Sequence, residues 1–337
     1  MSDKKNVPLS VLDLAPIPQG ANARDAFHAS LALAQQSEKL GFNRYWLAEH
    51  HNMTGIASAA TSVLIGYLAA NTSTLRLGSG GVMLPNHSPL VIAEQYGTLE
   101  SLYPGRIDLG LGRAPGSDQR TMLALRRHMS GHIDNFPSDV EELIAWFDAE
   151  AGSQPAVQPV PGLGLKIPVW LLGSSLYSAQ LAAQLGLPFA FASHFAPDML
   201  FQALHLYREN FKPSARLERP HAMVCINVVA ADSEREARFL FTSIQQQFVN
   251  LRRGKPGPLP APVGNMDDLW SSSEQYGVQQ ALSMSLVGDQ DKVRHGLASL
   301  IRETQADEIM VNGQIFDPQA RLHSFALTMA AHQSLQA

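Results

Sequence analysis

The chain has 337 residues, of which 45% are hydrophobic and 16% are charged, and its formal net charge is −5. This length suits one large domain or two small ones, and no break in composition divides the chain. We therefore predict a single domain over residues 1–337. The weak negative charge gives no electrostatic reason to bind nucleic acid or an anionic membrane.

Two further features bear on where the protein works. No apolar run reaches membrane-spanning length, and residues 1–6 are not followed by the apolar core of a signal peptide. The single cysteine, Cys225, excludes an internal disulfide and fits a reducing compartment. We expect a cytoplasmic protein without membrane or nucleic-acid partners.

Strand-like and helix-like segments alternate along the chain. The predicted strands are residues 7–14, 44–49, 75–83, 106–112, 169–173, 189–193, 223–230 and 307–312. The predicted helices are residues 24–41, 57–71, 90–102, 140–149, 177–185, 198–210, 233–251 and 319–331. Such alternation implies parallel strands joined by helical crossovers. Eight repeats in one chain favour an α/β (β/α)8 TIM barrel, and an open doubly wound sheet is the alternative.

One region interrupts this alternation. Residues 253–262 (RGKPGPLPAP) are too rich in proline for a helix or an inner strand. They begin an insertion, residues 253–276, between barrel strands 7 and 8. Long connections at the carboxyl end of a barrel often act as lids, so a lid and a passive linker both remain open. A basic cluster at residues 126–128 is predicted to be a solvated helix face.

The second predicted strand runs directly into ionisable residues, in the sequence RYWLAEHHN at residues 44–52. His50 is the candidate proton-handling group, because the pKa of histidine is close to neutrality. The alternative is that His50 and His51 are ordinary loop residues. Adjacent residues on an extended chain point to opposite faces, and we find neither helical zinc spacing nor a third ligand nearby. We therefore predict no metal site.

Three later segments supply candidate ligand-binding groups. Gly80 and Gly81 end the third strand, where paired glycines suggest close approach of a ligand or an unusual backbone. Arg113 follows the fourth strand, and a guanidinium can hold a phosphate by two parallel hydrogen bonds. Ser174, Ser175 and Ser178 surround the next helix start, where they could cap the helix or bind an anion together with Arg113.

Polar residues also occur at the ends of later strands. They are His194, Asn227 and Asn312, and we consider them candidate substrate-side groups.

Residues 44–52, 80–89 and 105–116 together resemble the luciferase-like monooxygenase family, and the likeness extends over nearly the whole chain. The chain is most similar to the single-chain enterobacterial-type members of that family. The resemblance implies a flavin-dependent monooxygenase that receives reduced FMN as a cosubstrate from a separate NAD(P)H:flavin reductase. Oxygen would then be activated as a flavin C4a-hydroperoxide, which oxygenates a small organic substrate.

The resemblance also implies residue roles. His50 would handle protons in catalysis, and Glu49 and His51 would give hydrogen-bonding support or form an interface. A cis peptide would join Gly80 to Gly81 under the flavin ring. Arg113 and the turn from Ser174 to Ser178 would hold the flavin phosphate. A homodimer packed through the second and third helices is implied, with Glu94 at subunit contacts.

Two rival functions remain within the same resemblance. One is a hydride-transferring oxidoreductase that uses the deazaflavin F420, although few basic residues are available for its acidic tail. The other is a flavin-binding protein without catalytic activity. The retained His50 argues against that second rival.

Overall fold

The computed structural model describes residues 7–114, 119–125 and 135–335. The basic cluster at residues 126–128 and the end of the loop after the fourth predicted strand lie outside this part. The strands are β1 Leu9–Asp13, β2 Arg44–Leu47, β3 Arg76–Ser79, β4 Val82–Met83, β5 Ile107–Gly112, β6 Val169–Gly173, β7 Phe189–Phe191, β8 Ala222–Ala230, β9 Ser285–Gly288 and β10 Glu308–Asn312. The helices are α1 Ala23–Leu40, α2 Thr61–Ala70, α3 Pro89–Leu102, α4 Gln119–Leu125, α5 Phe136–Phe147, α6 Leu176–Leu185, α7 Leu200–Glu209, α8 Glu234–Arg252, α9 Ser272–Ala281, α10 Gln290–Thr304 and α11 Pro318–Gln333.

Eight parallel strands form a closed barrel within the described residues. Their order is β10, β1, β2, β3, β5, β6, β7 and β8, and β8 pairs again with β10 to complete the ring. The predicted (β/α)8 barrel is therefore confirmed, and the open doubly wound sheet is wrong. Closure brings the carboxyl ends of all eight strands to one mouth, where barrels of this kind carry their functional groups.

Alternating side chains divide the strands between two apolar layers. One set packs inside the barrel, where the rings of Trp46 and Trp170 meet edge to face with centroids 5.2 Å apart. Cys225 and Met310 belong to the same interior cluster. The intervening positions face the helices and form a larger outer core. This period of two fixes which residues at the strand ends point inward.

A buried charge cluster lies at the amino end of the barrel. The Arg44 guanidinium donates to Asp108 at 2.7 Å and to Glu308 at 2.8 Å, and all three side chains are at most 10% exposed. Paired and hydrogen-bonded charges are the form in which ionic groups tolerate burial. The amino end is thus filled, which leaves the carboxyl end for ligands.

The connection between β8 and β10 contains more regular structure than the sequence predicted. The irregular stretch ends at Ser271, and Tyr276 lies inside α9 instead of ending the insertion. The prediction also missed β9, which pairs with the second half of β8, and α10. The Ser271–Glu274 capping box that starts α9 was present in the sequence and could have located this helix.

The proline-rich part of the insertion packs on the loops after β1 and β2. Leu259 donates a backbone hydrogen bond to Ile17 and accepts one from Gln19, at 2.8 and 2.9 Å. The Gly257 carbonyl lies so close to Gly55 that a Cβ atom on Gly55 would stand 1.9 Å from its oxygen. The insertion therefore covers part of the carboxyl end of the barrel. None of the described helices is both long and apolar enough to cross a membrane.

Candidate active site

His50 lies just beyond the carboxyl end of β2. Its backbone N–H donates to the Ser58 carbonyl at 3.1 Å, which fixes the loop. The residue is partly exposed, but its Nδ1 atom is buried without a hydrogen-bond partner in the described part of the chain. Burial lowers the pKa of His50 to about 4, although the charge of Glu49 opposes the shift. A neutral imidazole at neutral pH can accept a proton.

A second histidine approaches the same mouth from across the barrel. β7 is four strands from β2 in the eight-strand ring, so His194, three residues after β7, comes from the opposite side. Its Nδ1 atom is also buried and unpaired. Burial, followed by the charge that His50 can carry, lowers the pKa of His194 to about 3. The two rings are within electrostatic reach, and a proton on one disfavours a proton on the other.

Glu49 and His51 form a separate cluster with His87. The Oε1 atom of Glu49 contacts the Nε2 atoms of both histidines at 2.7 Å, and its Oε2 atom accepts from the backbone of Met83 at 3.3 Å. Burial would raise the pKa of Glu49, but the hydrogen bonds and charges of His87 and then His51 lower it. Glu49 thus joins the two histidines by hydrogen bonds, and the supporting role of Glu49 and His51 stays a prediction.

The prediction that His51 has no third potential ligand nearby is wrong, because Glu49, His51 and His87 lie together. Loop closure brings His87 from a segment 36 residues away in sequence, and three potential ligand atoms lie within 4.8 Å of one another. The spacing along the chain gives no sign of this approach. The predicted lack of a metal site stays a prediction.

The Gly80–Gly81 peptide is cis, as the resemblance implied. It separates β3 from β4, which pair with β5 on either side of the break. Ser79 closes the gap, because its hydroxyl donates to the Gly110 carbonyl at 2.9 Å and accepts from the Gly110 N–H at 3.0 Å. Sequence reasoning missed this role of Ser79. Its side chain makes hydrogen bonds to β5 where backbone pairing between the strands is interrupted.

Arg113 and the start of α6 lie on neighbouring strands, since Gly112 of β5 pairs with Leu172 of β6. The exposed Arg113 guanidinium lies 4.1 Å above the ring of Tyr177, a contact that sequence reasoning did not foresee. Cation–π stacking of this kind restrains the guanidinium without using its N–H donors.

The amino end of α6 is not capped by a serine side chain. Ser175 is the N-cap residue but makes no side-chain capping bond, and the Ser178 hydroxyl donates to the Ser175 carbonyl at 2.9 Å. Ser174 is half-buried beside it. Uncapped first-turn N–H groups next to a guanidinium make a suitable place for an anion. The alternative of ordinary capping by Ser175 is therefore wrong.

The mouth brings most of the predicted residues into one region. Arg113, Ser174, Ser175 and Ser178 form one group on β5 and β6, and Gly81 precedes β4, whose Met83 pairs with Gly112. His50 and His194 come from the two sides of the ring. Asn227 and Asn312 are paired residues of β8 and β10.

Comparison with known proteins identifies the family. A family model described as luciferase-like monooxygenase matches residues 7–308. An Escherichia coli protein named luciferase-like monooxygenase is 78% identical, with 99% of each chain covered. The Bacillus subtilis N-acetyl-S-alkylcysteine monooxygenase is 37% identical over 87% of this chain and 88% of that protein. The chain belongs to the luciferase-like monooxygenase family.

Solved structures agree with this fold. Apo-MsnO8 superposes with a TM-score of 0.86, at 32% identity, over 97% of this chain and 98% of that one. A Type II Baeyer–Villiger monooxygenase from Pseudomonas putida, solved with FMN, gives a TM-score of 0.70 at 19% identity, with 96% of each chain covered. An F420-dependent secondary alcohol dehydrogenase gives 0.68 at 12% identity, over 97% and 99% of the chains. The shared fold accommodates both kinds of flavin cofactor.

Proposed function

We propose that the protein is a flavin-dependent monooxygenase that takes reduced FMN from a separate reductase and inserts one oxygen atom of O2 into a small organic substrate. One observation carries the proposal. An uncapped helix start beside Arg113 shares the mouth with a histidine that stays neutral at neutral pH. Reduced FMN, when bound, supplies the electrons that activate oxygen.

The residues present fit the phosphate of FMN. The Arg113 guanidinium keeps its N–H donors free of the Tyr177 ring contact, and the N–H groups of the first turn of α6 lack a side-chain cap. Gly173 allows the strand to approach this turn, since a Cβ atom there would lie 2.2 Å from the Ser178 hydroxyl oxygen. Arg113, the hydroxyl groups of Ser174 and Ser175 and the first-turn backbone N–H of Ser178 would thus bind the phosphate.

His50 would act as the proton-accepting group. Burial lowers its pKa to about 4, so the ring is neutral at neutral pH and can accept a proton. Gly80 and Gly81 would let the flavin ring lie close to the backbone, because neither residue carries a side chain.

The insertion would help to exclude water. It is joined to the β1 loop through Leu259 and touches the β2 loop through Gly257, which places it next to the His50 loop. We infer that residues 253–276 act as a lid whose closure dries the mouth during oxygen chemistry.

We infer further that the protein is a homodimer. The paired helices α2 and α3 expose large apolar side chains, with Val63 69%, Leu102 64% and Val91 43% exposed. A patch of exposed apolar side chains on neighbouring helices would suit a subunit interface. Sedimentation equilibrium of the wild type and of a Val63→Asp variant tests this, and a monomeric wild type would refute it.

The first experiment measures cofactor binding and then oxygen transfer. Anaerobic equilibrium dialysis compares the reduced forms of FMN, riboflavin and F420, and we expect reduced FMN to bind most tightly. A flavin reductase with NADPH then supplies reduced FMN, with N-acetyl-S-methylcysteine as the first substrate and 18O2 as the oxidant. One labelled oxygen in the product supports the proposal. Tighter binding of F420, or no binding of any flavin, would refute it.

A further inference from the structure

The wall of the mouth formed by β7, β8 and β10 contains a pair of buried asparagines that the proposed cofactor site does not use. Asn227 and Asn312 are paired neighbours on β8 and β10, and each is 1% exposed. Each follows the interior residue of its strand by two positions, after Cys225 and Met310 respectively. Because side chains alternate along a strand, both amides point into the barrel end.

The hydrogen bonds fix the orientation of both amides. The Nδ2 atom of Asn227 donates to the His194 backbone carbonyl at 2.6 Å and lies 3.3 Å from the Ser285 hydroxyl. A carbonyl can only accept, so the other amide atom of Asn227 is the oxygen. That oxygen accepts from the Nδ2 atom of Asn312 at 3.1 Å.

One acceptor is left over. Since Asn312 must present its nitrogen to Asn227, its remaining atom is Oδ1, which is buried and unpaired within the described residues. Gln314, two residues further along, also has a buried and unpaired Oε1 atom. A buried polar atom without a partner costs free energy, and a ligand that enters the mouth could supply the missing donor.

The remaining sides of the mouth are already assigned by the proposed function. The residues proposed to bind the phosphate lie at the ends of β5 and β6. The glycine pair lies at the end of β3, and His50 lies after β2. β10 is opposite β5 in the ring, which puts Asn312 across the mouth from Arg113. Apart from β1, whose inward residues Leu12 and Leu14 are apolar, the β7–β8–β10 wall is the part left for the substrate.

We propose, building on the flavin-dependent function, that this wall recognises a substrate carrying an N–H or O–H donor, which the Oδ1 atom of Asn312 accepts. His194 forms the neighbouring part of the wall, and Asn227 positions it by holding its carbonyl. The substrate class is therefore a small organic molecule with an amide or hydroxyl group, and not a hydrocarbon or a simple aldehyde. A molecule without a donor leaves the acceptor unpaired and binds more weakly.

Paired probes test the proposal on the wild-type protein. Calorimetry with FMN present compares N-acetyl-S-methylcysteine with its N-methylated amide, and 2-(methylthio)ethanol with its methyl ether. Limonene and decanal serve as donor-free probes. We expect the better-bound pair to favour the donor by at least about tenfold, the scale of one lost hydrogen bond to a buried group. No preference, tighter binding of donor-free probes, or no binding of any donor-bearing probe would overturn it.

A variant separates hydrogen bonding from the bulk of the added methyl group. Asn312→Leu removes the acceptor at similar volume, and the preference within each pair should fall to about twofold or less. Asn210→Leu, at the exposed end of α7, is the matched control and should keep it. A preference that survives Asn312→Leu would come from sterics and would contradict the assignment. The wild-type comparison stands even if Asn312→Leu folds poorly.

The flavin itself carries an imide N–H that could occupy the same acceptor. FMN and 3-methyl-FMN, which lacks this donor, are therefore compared on the wild type and on Asn312→Leu. Discrimination between the two flavins that disappears in the variant would assign Asn312 to the cofactor and overturn the substrate role. Failure of the wild type to bind any flavin would refute the proposed function, while the probe pairs still test the wall.

Discussion

The proposed chemistry of the mouth rests on single residues, and His50, whose Nδ1 atom is buried, can be tested most directly. We expect His50→Gln to lower turnover by about 10²–10⁴-fold, the usual contribution of a general acid–base group. FMN affinity should stay within about twofold, since the residues proposed to bind its phosphate lie on other strands. Steady-state oxygenation and equilibrium dialysis give the two numbers. Unchanged turnover would remove His50 from the catalytic group.

The lowered pKa values of His50 and His194 also predict how stability depends on pH. In the unfolded chain both rings titrate near 6.5, whereas the folded values are about 4 and about 3. Between the folded and unfolded pKa values, the unfolded state binds more protons than the folded state. The free energy of unfolding therefore falls as the pH is lowered from about 6.5. His50 alone accounts for about 2 kcal/mol between pH 7 and pH 5.

Urea unfolding at pH 7 and pH 5 measures this effect. The His50→Asn variant should lose less stability over that interval than the wild type, and His50→Asn/His194→Asn less still. His205→Asn, exposed on α7, should behave as the wild type does. A wild-type pH dependence that neither variant reduces would show that these histidines are not the groups responsible.

At the residue scale, the sequence predicted which side chains lie at the mouth better than it predicted their hydrogen-bond partners. His50 and Arg113 followed strand-like runs, so their place at the barrel mouth could be deduced. His87 could not be linked to Glu49 in this way, because their contact depends on how two loops close. The role of Ser79 was equally hidden, since it replaces backbone pairing that only the break between β3 and β4 removes.

The helix α6 and strand β5 act as one unit at the proposed phosphate site. Arg113→Ala should weaken FMN about 10–100-fold, because charge-assisted hydrogen bonds to a buried or partly buried phosphate are worth about 1.5–3 kcal/mol. Riboflavin lacks the phosphate, and its affinity should change little. Arg235→Ala, exposed on α8, is the control. Equal losses for FMN and riboflavin would contradict a phosphate role.

The insertion is a second element whose contacts can be tested. Gly55→Ala places a Cβ atom 1.9 Å from the Gly257 oxygen, so the insertion must move away. We expect faster limited proteolysis within residues 253–271 and lower coupling of flavin oxidation to product formation. Gly20→Ala serves as a control for a nearby loop glycine with open space around it, although its positive φ adds strain of its own. Unchanged proteolysis and coupling would argue against a lid.

Elements were predictable where hydrophobic periodicity was strong. All eight barrel strands were found within a few residues of their bounds because each is a buried apolar run. β9 was missed since its first three residues are only partly buried and its sequence, SLVG, is short. The helix α10 was missed although Asp289 caps it and Val293, Leu297 and Leu300 form its buried stripe.

At the scale of the whole molecule, a buried ion pair joins the first strand to the last helix of the described residues. Asp13 of β1 accepts from Arg321 of α11 at 2.7 Å, and also from Ser30 and Tyr45. Burial opposes the charge, but Arg321 and these hydroxyl donors lower the pKa of Asp13. The ion pair holds α11 against β1, and β1 is also the strand that pairs with β10 in the closed barrel. Since the pKa is lowered, the stabilisation is present near neutral pH and is lost as the pH falls.

Removing one charge of the Asp13–Arg321 ion pair should lower the free energy of unfolding more than removing both charges. We expect Arg321→Met to destabilise the fold by about 3–5 kcal/mol, because it leaves a buried carboxylate unpaired. Asp13→Asn/Arg321→Met should recover part of that loss, since the amide can still accept from Ser30 and Tyr45. Arg302→Met, on the exposed face of α10, should stay within about 0.5 kcal/mol. Urea unfolding at pH 7 provides the comparison, and a double variant less stable than Arg321→Met would show that Asp13 stabilises the fold without its ion pair.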